Sequence, residues 1–353
     1  MINEVTNPVA GSAGTAQPVP DPPKAEAPAL RLTSISLARF RDLALIPPII
    51  LVVVVGAFVS PSFLTRGNLT DVLVSMSWIG LLVLAEALVL LAGKMDLSLE
   101  STVGLAPGVA AWLTLPTGIN HGLDLVPPGW AIPIALAVGV IIGAINAGLI
   151  VKLGLNAFIV TLGMLITLRG LLTGISGGQT FFGMTGSMMY LGTATWLGIP
   201  AAVWVCVVAY VIGGLGLRYL RSGRSLYAIG GNVDAARAAG IRTDRTLWWV
   251  FILASAIAAL AGILLSGHLA SVASSQGSGA IFTVFAAAVI GGVSLNGGRG
   301  SLVGAFTGIL LLYLVQNVLT FAGVSGEWFD FLNGSVILAV LIITRVVAGR
   351  SRD

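Results

Sequence analysis

Apolar residues in this chain come in long unbroken runs separated by short polar interruptions, without apolar–polar alternation inside the runs. About 20 apolar residues wound as a helix match the hydrocarbon thickness of a bilayer. Strands of a membrane barrel would alternate instead, so the pattern predicts helices. Ten spans are predicted: Leu43–Val59, Leu73–Ala92, Leu99–Leu115, Trp130–Val151, Ala157–Gly174, Gly198–Leu217, Leu247–Gly267, Gly279–Val293, Leu302–Phe321 and Trp328–Val347. The eighth is short and predicts a broken or re-entrant helix. The fold class that follows is an all-α, polytopic integral membrane protein of about ten transmembrane helices. Its transmembrane domain covers residues 41–347, with a Pro- and Ala-rich tail over 1–40 and a short C-terminal end over 348–353. The tail has no apolar run and predicts disorder. It also lacks the basic start and apolar stretch of a signal peptide.

Composition removes other classes. Apolar residues make up 56% of the chain and charged residues 9%, against about 25% charged in a soluble domain. A soluble core cannot hide that much apolar surface. The 46 glycines follow no three-residue period, which excludes collagen. Cys206 is the single cysteine, cannot pair within the chain and reads as a small core hydrophobe. With the N-terminus inside, every basic residue falls on the inner side except Arg66, which lies outside, and Arg169, which is embedded. The positive-inside rule therefore predicts both termini in the cytoplasm and an even number of spans.

The longest inner loop is Arg218–Thr246. Within it Asn232 is placed to cap a short helix, Val233–Ala239 is rich in alanine, and Gly240 can end the helix in a left-handed conformation. A capped helix of small residues lets another protein approach its backbone closely. The plainer reading is an ordinary basic inner loop.

At these residues the chain resembles the permease subunits of bacterial ribose-type (carbohydrate) ABC importers, and Gly230, Gly231, Asn232, Asp234, Ala235, Ala236, Arg237 and Gly240 look like their cytoplasmic coupling loop. Four more segments match in order. Met95-Asp96-Leu97-Ser98 is similar to the signature Gly-Gly-Ile-Asp-Leu-Ser-Val-Gly-Ser, and Asn156-Ala-Phe-Ile-Val-Thr-Leu-Gly163 resembles Asn-Pro-Phe-Ile-Val-Thr-Leu-Gly. Arg169-Gly170 follows at the family spacing, and Gly291–Ser301 looks like the glycine-rich loop before the ninth span. The likeness covers about residues 40–347. Here the signature reads Gly93-Lys94-Met95-Asp96-Leu97-Ser98-Leu99-Glu100-Ser101, with added charges at Lys94 and Glu100. The resemblance implies a dimer with a second copy or a paralogue and a cytoplasmic ABC ATPase that carries ATP and Mg. It also implies an extracytoplasmic substrate-binding protein, a place in the bacterial cytoplasmic (inner) membrane, and a monosaccharide or polyol as substrate. Branched-chain amino-acid permeases share related features, so a non-sugar solute stays open.

No Gly-x-x-x-x-Gly-Lys-Ser/Thr occurs, and Gly297-Gly-Arg-Gly300 lacks the P-loop lysine, so the chain binds no ATP by that device; no other cofactor, metal or nucleic acid is expected on it either. Glu86 and Arg169 enter spans, where a lipid-facing charge costs about 2.5–3.5 kcal/mol. Both should face the bundle or a wet cavity, roughly 8–10 Å apart in depth. They either line or gate a path, or pair with a nearby group to fix packing. Asn146, Asn156, Thr161, Gln316 and Asn317 either wet the path or bond between helices. Asp96 can cap the helix that follows it through the N–H groups of Leu99 and Glu100, or act as a gating charge. Gly139, Gly143, Ala144 and Ala147 read as close-packing surfaces. The uncharged outer loop Ile175–Leu197 carries Phe181, Phe182, Tyr190 and Trp196, either as an interfacial belt or as a docking face. Two rival functions remain. Gly174-Ile-Ser-Gly177 with His268 mimics an intramembrane protease, and a secondary transporter would need no ATPase.

Overall fold

The computed structural model describes residues 44–118 and 121–350. The expected tail over 1–40 and the last three residues of the C-terminal end lie outside the described residues. All ten predicted segments are helical. They are α1 (Ile46–Val59), α2 (Arg66–Leu91), α3 (Ser98–Thr114), α4 (Ala131–Ala147), α5 (Ala157–Ser176), α7 (Ala201–Tyr219), α10 (Thr243–Leu269), α11 (Ala280–Ile290), α12 (Leu302–Phe321) and α13 (Glu327–Arg350). Three short helices lie between them: α6 (Gly186–Thr193), α8 (Arg221–Gly231) and α9 (Val233–Ala238).

Six segments among the described residues are long and apolar enough to cross a bilayer: α2, α4 with its flanking turns, α5, α7, α10 and α12. That is fewer than the ten expected. The 11 residues of α11 reach about 16 Å, roughly half the hydrocarbon thickness. Glycines set its ends: Gly277 and Gly279 precede it and Gly292 follows, all at positive φ. The eighth segment is therefore too short to cross as a helix, as its sequence length implied.

Close backbone approach organises the bundle. Lipid is as apolar as leucine, so helices associate by packing and hydrogen bonds rather than by escape from water. Gly139 and Gly143 of α4 lie against the backbone of α10 at Ser255 and Phe251, where a Cβ would collide. Gly262 of α10 sits on the Val103 carbonyl of α3, beside Pro107. Thus α10 runs buried between α2, α3 and α4, whereas α5 and α7 expose most of their length. Cys206 is buried, with its Sγ facing Gly80.

Two connections differ from the sequence expectation. The 175–197 stretch contains α6 and a two-stranded turn, β1 (Thr195–Trp196) with β2 (Ile199–Pro200). Phe181 is fully buried there, exchanging backbone hydrogen bonds with Val272, while Phe182, Tyr190 and Trp196 are exposed. The 218–246 stretch is mostly helical, because α8 precedes the expected alanine helix. Leu226 and Ile229 bury one face of α8, and Arg221 and Arg224 stay outside, a helical spacing broken in sequence by its glycines.

Candidate functional site

The expected coupling helix is present and capped. Asn232 Oδ1 accepts from the backbone N–H groups of Asp234 (3.0 Å) and Ala235 (2.9 Å). Gly240 ends the turn at φ +78. Asp234, Ala235 and Arg237 are exposed, but Ala236 is buried against the chain's own core. Ala236 therefore seats the helix and does not face a partner. Arg237 donates to Thr243 Oγ1 (3.2 Å) and pairs with Asp234 and Asp244 at 3.8 and 3.5 Å. These pairs are exposed, so each contributes about 0–1 kcal/mol.

Three of the resembling segments meet at the end of α8, just before this helix. Gly230 packs directly on the Leu91 carbonyl at the end of α2 and on the Gly298 N–H of the glycine-rich loop. That N–H donates to the Leu91 carbonyl (3.1 Å). Gly93, Gly297 and Gly298, all at positive φ, complete a crossing of three backbones in which no side chain fits. Gly231, one residue on, is exposed, with open space where a Cβ would project, although its backbone lies close to Gly298.

Past Gly93 the chain turns back into the bundle. The Asp96 N–H donates to Glu86 Oε1 (3.4 Å), which brings the two acids together. Asp96 Oδ1 accepts from the Ser98 N–H (3.0 Å) and the Ser98 hydroxyl (2.5 Å), and Asn146 Nδ2 donates to Ser98 Oγ (2.8 Å). Asp96 thus accepts from Ser98, the first residue of α3, and not from Leu99 or Glu100, because Leu97, already turned into the helix, holds the N-cap position. Thr161 Oγ1 closes the cluster on the Met95 carbonyl (3.5 Å). Glu86, Asp96, Ser98, Asn146 and Thr161 are all buried, while Glu86 Oε2, Asp96 Oδ2 and Asn146 Oδ1 accept nothing from the protein. An unpaired buried carboxylate oxygen is destabilising. Asp96→Asn keeps the Oδ1 acceptor and offers an NH₂ in place of an unpaired oxygen, so it is expected to melt no lower than the unaltered protein. Asp96→Leu, which strands the Ser98 N–H, should be less stable by about 1–3 kcal/mol. Thermal unfolding in detergent compares the two.

Glu86 and Arg169 do not meet. Arg169 Nη1 donates to the Gln276 carbonyl (2.7 Å), and Nη2 pairs with Glu100 Oε1 (3.4 Å). Glu100 Oε2 accepts from the Ile281 N–H at the start of α11 (3.2 Å). The Gln276 amide donates to the Val103 carbonyl and to Ser266 Oγ. Arg169 therefore joins α5, α3 and the loop before α11. Glu100 stood out in sequence as an added charge, but its partner sits on another helix and no spacing rule reaches it. Gln276 gave no signal at all, being one amide in a polar loop.

The other path candidates lie apart. Asn156 is exposed and caps α5 through the Ile159 N–H (3.3 Å). Asn317 exchanges two amide hydrogen bonds with Asn68, both 2.9 Å, and Gln316 is its half-buried neighbour on α12. The Ser176 hydroxyl donates to the Thr173 carbonyl of its own helix (3.3 Å) rather than to a histidine.

Long apolar helices, glycines where α10 crosses α3 and α4, and buried polar groups turned inward fit a multi-pass membrane permease. A family model described as branched-chain amino acid transport system / permease component matches residues 68–341, and the chain belongs to that family. It is 33% identical over 308 residues to the autoinducer 2 import system permease protein LsrC of Enterobacter sp. (strain 638), covering 87% of this chain and 88% of that protein. It is 32% identical over 310 residues to the ribose import permease protein RbsC of Escherichia coli (strain K12), covering 85% and 92%. No solved structure matches. The protein is a transport component of the bacterial inner membrane.

Proposed function

We propose that this chain is the translocation subunit of an ATP-driven ABC importer for a monosaccharide or related polyol. The observation that carries the reading is the convergence of three separated segments at the Leu91–Gly230–Gly298 junction, immediately followed along the chain by a capped and largely exposed helix. Relatives named for ribose import and autoinducer 2 import match along most of the chain, which supports a sugar-like cargo over a branched-chain amino acid. In this reading a cytoplasmic ATPase holds ATP and Mg and docks on α9. An extracytoplasmic binding protein delivers solute at the opposite end. A second copy or a paralogue completes the pore, and both termini are cytoplasmic. ATP closure displaces α9, and the glycine junction passes the displacement to the end of α2. The equilibrium between inward- and outward-facing states shifts by the difference in contact energy.

The surface of α9 gives the test. Ala235 is exposed, so Ala235→Trp adds bulk on the partner side without disturbing the core. The variant is expected to insert and melt as the unaltered protein does, and to lose ATPase co-purification and uptake of labelled D-ribose at least tenfold, as a central anchor position would. Normal uptake by this variant would remove α9 as the coupling element.

A further inference from the structure

We propose that the groove between α7 and α10, at the end where both meet α8, holds an anionic phospholipid, with its headgroup among arginines and an acyl chain along the two helices. The proposal does not depend on which solute is carried.

The groove has a volume of about 660 Å³. Both α7 and α10 pack on α2, and the groove between them reaches down to Leu88 of α2. Its lining changes character with depth. Ile212, Gly216 and Leu220 recur every fourth residue along α7 and its end, and Arg245, Trp249 and Leu253 do the same on α10, so each set follows one helix face. Leu253 lies about 15 Å along α10 from its first residue, and Ile212 about 10 Å back from the end of α7. Ile212 and Leu253 are exposed, on helices long and apolar enough to cross a bilayer, so the deep half of the groove opens to hydrocarbon. The exposed Trp249 sits between the two halves, at the level where an amphipathic ring suits a membrane surface.

The shallow half carries Arg221, Arg242 and Arg245, all exposed. Among the described residues their guanidinium groups have no ion pair, hydrogen bond or ring partner, and no Asp or Glu lines the groove. Neighbouring charges are already engaged. Arg218 lies over the Tyr219 ring at 5.3 Å, Arg224 donates to the Tyr219 carbonyl at 3.5 Å, and Asp244 pairs with Arg237 at 3.5 Å. Three unpaired cations at the mouth of an apolar groove between spans match an amphiphile with an anionic head. A zwitterionic headgroup brings its own cation, which meets no carboxylate here. A second copy seated by the same face would set arginine against arginine. A soluble partner reaches the arginines and not the hydrocarbon half, about 10–15 Å further in. A lipid held here bridges α7, α10 and the helix that carries Gly230.

Native mass spectrometry of the full-length protein reads the retained lipid, from micelles with equal amounts of dioleoylphosphatidylglycerol and dioleoylphosphatidylcholine. The phosphatidylglycerol should be retained roughly tenfold over the phosphatidylcholine. The double variant Arg242→Gln with Arg245→Gln should lose that retention by roughly tenfold or more and melt as the unaltered protein does, since neither side chain has a partner to lose. Gly216→Leu should lose it too without any change of charge, because a Cβ at Gly216 meets only Leu220 Cδ1, at 3.8 Å, and a larger side chain fills the groove. Arg218→Gln with Arg224→Gln, which removes the same charge outside the groove, should stay within about twofold of the unaltered protein. Equal retention of the two lipids overturns the proposal. So does full retention by the Arg242 and Arg245 variant or by Gly216→Leu, or an equal loss in the Arg218 and Arg224 variant. Displacement of the lipid by millimolar inorganic phosphate would make this a site for free phosphate. An Arg242 and Arg245 variant that keeps its lipid and loses a co-purifying ATPase would assign the arginines to an acidic protein surface. Either result removes the lipid.

Discussion

Gly230→Ala is expected to cripple uptake and to destabilise the protein, whereas Gly231→Ala next to it should do neither. A Cβ on Gly230 would meet the Leu91 carbonyl and the Gly298 N–H, both backbone atoms that no rotamer change can move aside. The three segments must then separate, and the hydrogen bond from Gly298 to Leu91 is lost with them. Overpacking of this kind costs about 1–3 kcal/mol. The stranded backbone groups add about another 1–3 kcal/mol if water cannot reach them. A Cβ on Gly231 would project into open space, and alanine is the better helix former, so its substitution should be neutral. Thermal unfolding in nanodiscs and uptake in cells measure both effects. A Gly230→Ala protein that melts and transports normally would mean that the three backbones are not in contact in the working state.

Arg169→Met should produce the other large effect. Arg169 is 20% exposed and Glu100 9%. Removing one partner of this partly buried ion pair leaves the Glu100 charge uncompensated and should destabilise by up to about 3 kcal/mol, the low end for a fully buried pair. The Gln276 carbonyl also loses its donor. Glu100→Gln should be milder, because an amide oxygen can still accept from the Ile281 N–H while Arg169 keeps the Gln276 carbonyl. The double variant Glu100→Gln with Arg169→Met should recover part of the single-variant loss, since no carboxylate is then stranded. A double-mutant cycle on unfolding gives the coupling directly. Additive losses would show that the two side chains do not depend on one another.

These two sites stand in series along the chain. Gly93 lies in the junction, Asp96 meets Glu86 and Ser98, and Glu100 holds the start of α11, all within eight residues. The signature segment thus touches the junction, the buried acid cluster and the loop that carries Gln276. The same short stretch, read in sequence as a cap or a gating charge, links the glycine junction to the start of α11.

The sequence by itself determined the class of protein, the ten helical segments and the capped helix at Asn232. Each follows from local chemistry: an apolar run long enough for a bilayer, or a side-chain oxygen one turn from a backbone donor. It also marked Gly139 and Gly143 as packing surfaces, since small residues in spans have few other uses. Only the tertiary structure decided which buried groups meet. Arg169 faces Glu100 and not Glu86, because the pairing depends on how α3 and α5 cross and not on depth along either helix. Ala236 faces inward and Ala235 outward, a difference that two adjacent alanines of equal polarity in a six-residue helix do not reveal. Gln276 acquires an unused acceptor only once Val103 and Ser266, distant in sequence, have taken both of its donors. Periodicity encodes which side of a helix is apolar, while charge pairing and cavity chemistry arise between helices, where one dimension of sequence carries no distance.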